Sequence, residues 1–212
     1  MILIIDFDGV ILDSFTCSKN NILKVATKLN LPFPKETDFI NYWGKEWSSF
    51  LLSVWPNIDV KLFNKTFNAM NLHQERIPSI EGAVQVLKDL SKKYYLAMVT
   101  NRGWDTLSKK AKDIDLDLSL FQFVQAFEDT PFEKPDSRVF NKLLLKMSKM
   151  KETKAIFVGD TVHDFGACDV IPEIDFIGVL TGPTKKETFL SLGVREDNLL
   201  LSIKELPFWL KS

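Results

Sequence analysis

The sequence predicts an α/β protein, a doubly wound parallel sheet with a helical domain inserted after its first strand. Two observations carry this. Short, wholly apolar runs alternate with helical patterns along most of the chain, as expected of strands that helices cover on both faces. One stretch, from Ser14 to Pro78, breaks the rhythm with several helical patterns and no strand.

The first strand is expected at 2–6, where Met1-Ile2-Leu3-Ile4-Ile5 runs into Asp6. The inserted segment is rich in aromatics, including Phe33, Phe39, Tyr42, Trp43, Trp47, Phe50, Trp55, Phe63 and Phe67, and is punctuated by "LPFP", Gly44 and Pro56-Asn57. Core packing accounts for most of these rings. The assigned boundaries are 1–13 and 79–212 for the α/β core and 14–78 for the insertion. "IEGAVQVLKDLSKKY" then reads as a helix with lysines in its last turn, and "YYLAMVT" as a strand at 95–100. A third strand is expected at 121–126. "DSRVFNKLLLKMSKM" reads as a helix started by Asp136 or Ser137, followed by strands at 154–159 and 175–180. The apolar tail "LPFWLKS" is expected to dock on the core, with a dimer contact as the alternative.

Composition narrows the class. The chain has 212 residues, is 45% hydrophobic and 26% charged, and sets 27 basic against 28 acidic residues, for a formal charge of −1. Those values fit a folded soluble domain, and no basic stripe points to nucleic acid. The N-terminal apolar run lacks a positive leader and is cut short by Asp6, so it is not read as a signal peptide. No stretch is long enough to span a bilayer. Two cysteines, Cys17 and Cys168, make neither a disulfide framework nor a zinc set, and each is read as a small buried hydrophobe. The expectation is a cytoplasmic monomer, with a dimer as the alternative.

The strand ends carry the chemistry. In "IIDFDGVILDSF" an apolar run ends in two carboxylates, Asp6 and Asp8, which need a partner if buried. The second strand ends in Thr100-Asn101-Arg102, the fourth in "GDTVHD" with Asp160 and Asp164, and "FEKPDSRVF" places Lys134 before a helix. Parallel strands bring their carboxyl ends to one edge, where ligands bind in such sheets. Carboxylates, a hydroxyl and an ammonium there suit a hard, oxygen-bound cation beside a phosphate, and Mg²⁺ is the expected ion.

Together these residues resemble the four motifs of the haloacid dehalogenase-like hydrolases. Asp6-Phe7-Asp8-Gly9-Val10 is similar to the first, Thr100 to the second, Lys134-Pro135 to the third, and Gly159-Asp160 through Asp164 to the fourth. "IPSIEGAVQVLKDL" and "FIGVLTG" resemble flanking segments of the helical-cap phosphatase branch, which includes phosphoglycolate phosphatase and β-phosphoglucomutase. The resemblance covers the whole chain and implies a Rossmann-like core, a cap at 14–78 and a small phosphorylated metabolite as substrate. It implies that Asp6 is the nucleophile forming an aspartyl-phosphate, and that Asp8 is the acid and then the base. Asp6, the Asp8 carbonyl and Asp160 would hold Mg²⁺, with Asp164 joining directly or through water. Thr100 and Lys134 would hold phosphoryl oxygens, and Asn101 would contribute backbone contacts.

Other positions have two readings. Arg102 is read as a surface residue, with phosphate contact as the alternative; Lys45, in "NYWGKEW", is read as an exposed lysine or a substrate contact. Asp13 and Ser14 are taken as the hinge into the insertion, His163 as a variable helix residue and His73 as surface. The competing functions are a phosphosugar mutase, a phosphonatase using Lys19, Lys24 or Lys45, and a non-catalytic binding or regulatory module, which fold alone would permit. Dehalogenase chemistry fits less well, since it would not need Asp8.

Overall fold

The computed structural model describes residues 1–211. In chain order its elements are β1 (Ile2–Ile5), α1 (Phe15–Lys28), α2 (Glu36–Tyr42), α3 (Trp47–Val54), α4 (Val60–Ala69), α5 (Ala83–Leu90), β2 (Tyr95–Val99), α6 (Trp104–Asp113), β3 (Phe123–Gln125), α7 (Asn141–Met150), β4 (Ala155–Gly159), α8 (Val162–Cys168), β5 (Ile174–Val179), α9 (Lys186–Ser191), β6 (Leu199–Leu200) and α10 (Leu206–Trp209). The six strands form one sheet in the order β3-β2-β1-β4-β5-β6, and every pairing is parallel. β1 lies between β2 and β4, with Ile2 in register with both Tyr95 and Ala155.

Side chains alternate across a strand, and the apolar runs use both faces. Leu3, Ile5, Leu96, Met98, Ile156 and Val158 join Leu87 of α5, Leu107 of α6 and Leu206 of α10 in one core layer. Ile2, Ile4, Ala97, Val99 and Phe157 join Leu143 of α7, Cys168 of α8 and Phe189 of α9 in the other. Each fully buried Ile or Leu contributes about 1.5–3 kcal/mol. This is the doubly wound architecture expected. The tail docks as expected too: Leu206 is buried and Trp209 and Leu210 pack on the first layer, whereas Ser212 lies outside the described residues.

The differences are local. β6 was not expected; it is two residues long, too short to show a period. β3 is shorter than 121–126, because Leu118–Leu120 forms a 3₁₀ turn that Phe121 closes through its N–H to the Leu118 carbonyl. The expected helix after Asp136 starts as a 3₁₀ turn over Ser137–Phe140, with the Asp136 carboxylate accepting the Arg138 N–H.

Helices α1–α4 follow β1 and enclose an apolar cluster of their own, built from Ile22, Val25, Phe39, Trp43, Phe50, Trp55 and Phe63. Phe39 and Trp43 each meet Phe50 edge-on, at 5.4 and 5.6 Å between ring centroids, a geometry that the ring quadrupole favours. Phe33 is the exception, 68% exposed. The two chain segments that enter and leave these helices run side by side: Asp13 donates its N–H to the Pro78 carbonyl, and Leu12 bridges to Ser79. Among the described residues no helix is long and apolar enough to cross a membrane.

Candidate active site

The chain leaves β1 toward β2 and β3 on one side and β4, β5 and β6 on the other. The crevice beyond the ends of β1 and β4 is therefore the switch point where such sheets bind ligands. Asp6 continues the ladder past β1, donating its N–H to the Val158 carbonyl at 3.0 Å. Phe7 turns into the core, so Asp6 and Asp8 take the opposite side. Gly9 then adopts φ +71°, and a side-chain carbon on it would lie 1.9 Å from Asp160 Oδ2; one on Gly182 would lie 1.8 Å from the same atom. The Asp160 carboxylate is thus wedged between two glycines, whose bare backbones admit it.

Lys134 is the central cation. It is 2% exposed, and its Nζ lies 2.8 Å from Asp6 Oδ1 and 2.6 Å from Asp164 Oδ1. Burial opposes its charge, but Asp164 and Asp6 together raise its pKa above the ordinary lysine value. Asn101 fixes its backbone: Asn101 Oδ1 accepts the Lys134 N–H at 2.9 Å, and Nδ2 donates to the Lys134 carbonyl at 3.1 Å and to the Gly44 carbonyl at 2.6 Å. Thr100 is buried beside them, its Oγ1 accepting the Arg102 N–H at 3.2 Å.

Asp164 belongs to the start of α8, where Thr161 Oγ1 accepts its N–H and its Oδ2 accepts from the Thr161 N–H and hydroxyl. With Oδ1 taken by Lys134, both oxygens are engaged. Asp160 differs: neither carboxylate oxygen has a hydrogen-bond partner, and both are buried. Burial, then repulsion from Asp164 and Asp6, pushes its pKa well above the carboxylate range. Burial likewise pushes Asp6 up to about 7, against the pull of Lys134.

Oxygens of Asp6, Asp160 and Asp164 lie within 4.8 Å of one another. Three buried carboxylates facing one lysine leave two negative charges, and an unpartnered buried carboxylate is costly. A dication with oxygen preference fits this donor set. Asp6 and Asp160 would hold it, with Asp164 held back by its own bonds.

Arg102 is not the surface residue expected. Its side chain is 18% exposed, and it grips Asp8 with Nε to Oδ2 at 2.8 Å and Nη2 to Oδ1 at 2.6 Å. Burial alone would raise the Asp8 pKa, but the Arg102 charge and hydrogen bonds overcome it and hold Asp8 below the usual range.

Over these groups lies a cavity of about 800 Å³, walled by core residues and by Trp43, Lys45, Trp47, Phe67 and others of the helical segment. The turn between α2 and α3 is tied to the core at three points. Glu133 accepts the Glu46 N–H at 2.7 Å, Asn101 reaches Gly44, and His163 Nε2 meets the Asn41 carbonyl at 2.9 Å. A carbonyl only accepts, so Nε2 carries the proton; burial, the dominant effect, lowers the His163 pKa. Lys45 is turned toward α3, donating to Ser53 Oγ at 3.1 Å and lying 5.1 Å from the Tyr42 ring centroid. His73 is half-buried in the cavity wall, not surface. Cys168 is buried as expected, but Cys17 is half-buried.

The structure thus brings Asp6, Asp8, Thr100, Asn101, Lys134, Asp160 and Asp164 to one place. Sequence reasoning missed Glu133, gave Gly182 no role of its own although it closes "FIGVLTG", and read His163 as a variable helix residue, whereas its ring ties the turn at Asn41 to the core. Glu133 adjoins Lys134 and His163 adjoins Asp164, and that adjacency is the signal the chain offered for these two.

A parallel α/β sheet with an acidic, lysine-bearing crevice at its switch point defines a class of ligand-binding and catalytic proteins rather than one activity. The comparisons narrow it: a family model described as haloacid dehalogenase-like hydrolase matches residues 3–179, and the chain belongs to that family. The fold is shared with a hydrolase from Pseudomonas syringae (TM-score 0.80, 20% identity, covering 100% of this chain and 97% of that one). It is shared with a predicted phosphoglycolate phosphatase from Haemophilus somnus (TM-score 0.79, 19% identity, 98% and 96%). A candidate β-phosphoglucomutase from Thermotoga maritima is also similar (TM-score 0.69, 19% identity, 99% and 98%). No curated protein matches the chain significantly.

Proposed function

We propose that the protein is a Mg²⁺-dependent phosphatase that hydrolyses a small phosphorylated metabolite through an aspartyl-phosphate on Asp6. The observation that carries this reading is the Asp6 carboxylate held 2.8 Å from the buried Lys134 ammonium, beside an Asp160 carboxylate with no protein partner. Phosphoryl transfer chiefly needs positioning and charge stabilisation, and this cluster provides both. The similarity to a predicted phosphoglycolate phosphatase supports the reaction class.

In the first step Asp6 attacks phosphorus, the bond to the leaving oxygen breaks, and that oxygen takes a proton from Asp8, which must enter the step in its acid form against the pull of Arg102. In the second, water attacks the aspartyl-phosphate, Asp8 takes its proton, and phosphate leaves with Asp6 restored. Asp8 in the Arg102 fork is poised as the base of the second step. Lys134 and Thr100 hold the phosphoryl oxygens, and Asn101 fixes Lys134. A Mg²⁺ ion held by Asp6, Asp160 and the Asp8 carbonyl would supply charge neutralisation. Residues 14–78 act as a cap that excludes water, with the paired segments near 13–15 and 77–80 as its hinges.

The test is phosphate release from a panel of phosphorylated metabolites, with and without Mg²⁺, by the natural chain and Asp6→Asn. Metal-dependent release that the variant loses supports the reading. Equal release by Asp6→Asn removes Asp6 as nucleophile.

A further inference from the structure

The cavity above Asp6 is about 800 Å³, within the range of sites that enclose drug-sized ligands. A phosphorylated two- or three-carbon acid would leave most of it filled by water. Its far wall comes from α3 and α4, and there the aromatic residues change character. Phe39 and Phe63 are buried in the helical cluster and Phe50, also buried, only touches the cavity, but Trp47 and Phe67 are only partly covered by protein and line it. Their rings meet edge-on, 5.5 Å between centroids at 72°. Trp47 is fixed by its Nε1–H, which donates to Asn64 Oδ1 at 2.8 Å.

Polar groups border this aromatic surface. Asn64 is half-buried and Asn68 exposed, both side chains line the cavity, and with Asn64 Oδ1 taken by Trp47 the Asn64 Nδ2 and the Asn68 amide are open to solvent or ligand. Partly uncovered rings with solvent-facing amides at their margin suit a flat ring with polar edges: the aromatic faces take the ring and the amides take its edge atoms. A wholly apolar tail would leave the amides unused.

Resting on the phosphatase reading, we infer that the leaving group of the substrate carries a planar, polar-edged ring, seated against Trp47 and Phe67 while its phosphate reaches Asp6. Specificity then lies with α3 and α4, far along the chain from the strand-end motifs.

The test compares kcat/KM of the Mg²⁺-loaded protein for adenosine 5′-monophosphate and pyridoxal 5′-phosphate against glucose 6-phosphate, which has a ring that is not planar, and against glycerol 3-phosphate and 2-phosphoglycolate. Equal handling of glucose 6-phosphate overturns the inference. The expected result is at least a tenfold preference for one or both ring-bearing compounds, expressed mainly in KM. Phe67→Leu keeps apolar volume but removes the ring, and should cut that preference at least fivefold. Equal handling of ringless compounds, or a preference that Phe67→Leu leaves in place, overturns the inference. Calorimetric binding to Asp6→Asn separates it from the reaction. Tighter binding of a ring-bearing compound, with no phosphate released from anything by the natural chain, would keep the ring site and remove the phosphatase reading. No such difference in binding, in the absence of turnover, overturns the ring site.

Discussion

Arg102 and Asp8, 94 residues apart in sequence, are joined by two parallel hydrogen bonds of 2.8 and 2.6 Å. A guanidinium fork matches a carboxylate better than any other cation does, so this pair sets both the aim and the charge of Asp8. It also answers how two carboxylates can sit with a single residue between them at a buried strand end. Asp6 is met by Lys134 and Asp8 by Arg102, each from a neighbouring part of the strand-end crevice.

Arg102→Met should therefore release Asp8. An opposite charge close to a carboxylate lowers its pKa by about 1–3 units, so removing it lets burial raise Asp8. Asp8 acts as the acid in the step that kcat/KM reports, so the alkaline limb of that profile should move to higher pH by about a unit or more. Meanwhile kcat, which also needs Asp8 aimed and ionised as the base, should fall at least tenfold. Arg102→Lys keeps the charge without the fork, and should shift the limb less. An alkaline limb unmoved in Arg102→Met would separate Asp8 from the rate.

Lys134 presents the opposite case, a cation whose loss strands its partners. Breaking a buried ion pair by removing one member costs about 3–5 kcal/mol, and Lys134 serves two carboxylates at 2.6 and 2.8 Å. Lys134→Met should lower unfolding free energy by that order in a urea titration at pH 7.5. It should also reduce turnover by about 10²–10³, as loss of one preorganised charge contact does. A variant of normal stability would mean that the two carboxylates are neutral in the folded protein.

Much of this was legible in the chain. Ile2–Ile5 and Ala155–Gly159 are apolar without alternation because both faces are covered, and that pattern survives in sequence. Asp6, Lys134 and Asp160 could be placed because each stands at the end of a strand or the start of a helix. Arg102 could not, since its burial depends on a carboxylate from another strand, and nothing local in "TNRGW" records it. The same holds for Glu133 and His163, whose partners are backbone groups of the turn at 41–46. The tertiary contacts that tie the helical segment to the core leave no period to read.

The acidic cluster predicts how stability varies with pH. Asp6 has a folded pKa of about 7, above its ordinary 3.8, and Asp160 is also raised. The folded protein then holds protons that the unfolded chain has released, so their stabilisation is complete below about pH 4 and is lost as pH rises toward 7 and beyond. His163, whose pKa is lowered from its ordinary 6.5, opposes this below that value, and Asp8 does so only near the acid end. Chelator-treated protein should melt at a lower temperature at pH 8 than at pH 5.5, and Asp160→Asn should flatten the difference. Ligating carboxylates must be ionised, so Mg²⁺ should raise the melting temperature more at pH 8 than at pH 5.5. The same Mg²⁺ effect at both values would mean that the ion does not use these carboxylates.

The turn at 41–46 offers a prediction about closure over the cavity. Glu133 accepts the Glu46 N–H, while the Glu46 carboxylate caps α3 by accepting the Ser48 and Ser49 N–H groups at 2.7 and 3.0 Å. One residue therefore links a core loop to the first turn of a cavity-lining helix. Glu133→Ala leaves the cap but removes the tie, and Glu133→Gln keeps an acceptor without the charge. Hydrogen exchange at the Glu46 amide should quicken markedly in Glu133→Ala and much less in Glu133→Gln, because a surface-linked segment opens locally with little free energy. Substrate KM should rise in the same order, severalfold in Glu133→Ala, as closure becomes less favourable. If exchange quickens but KM does not move, the tie fixes the turn without governing access to Asp6.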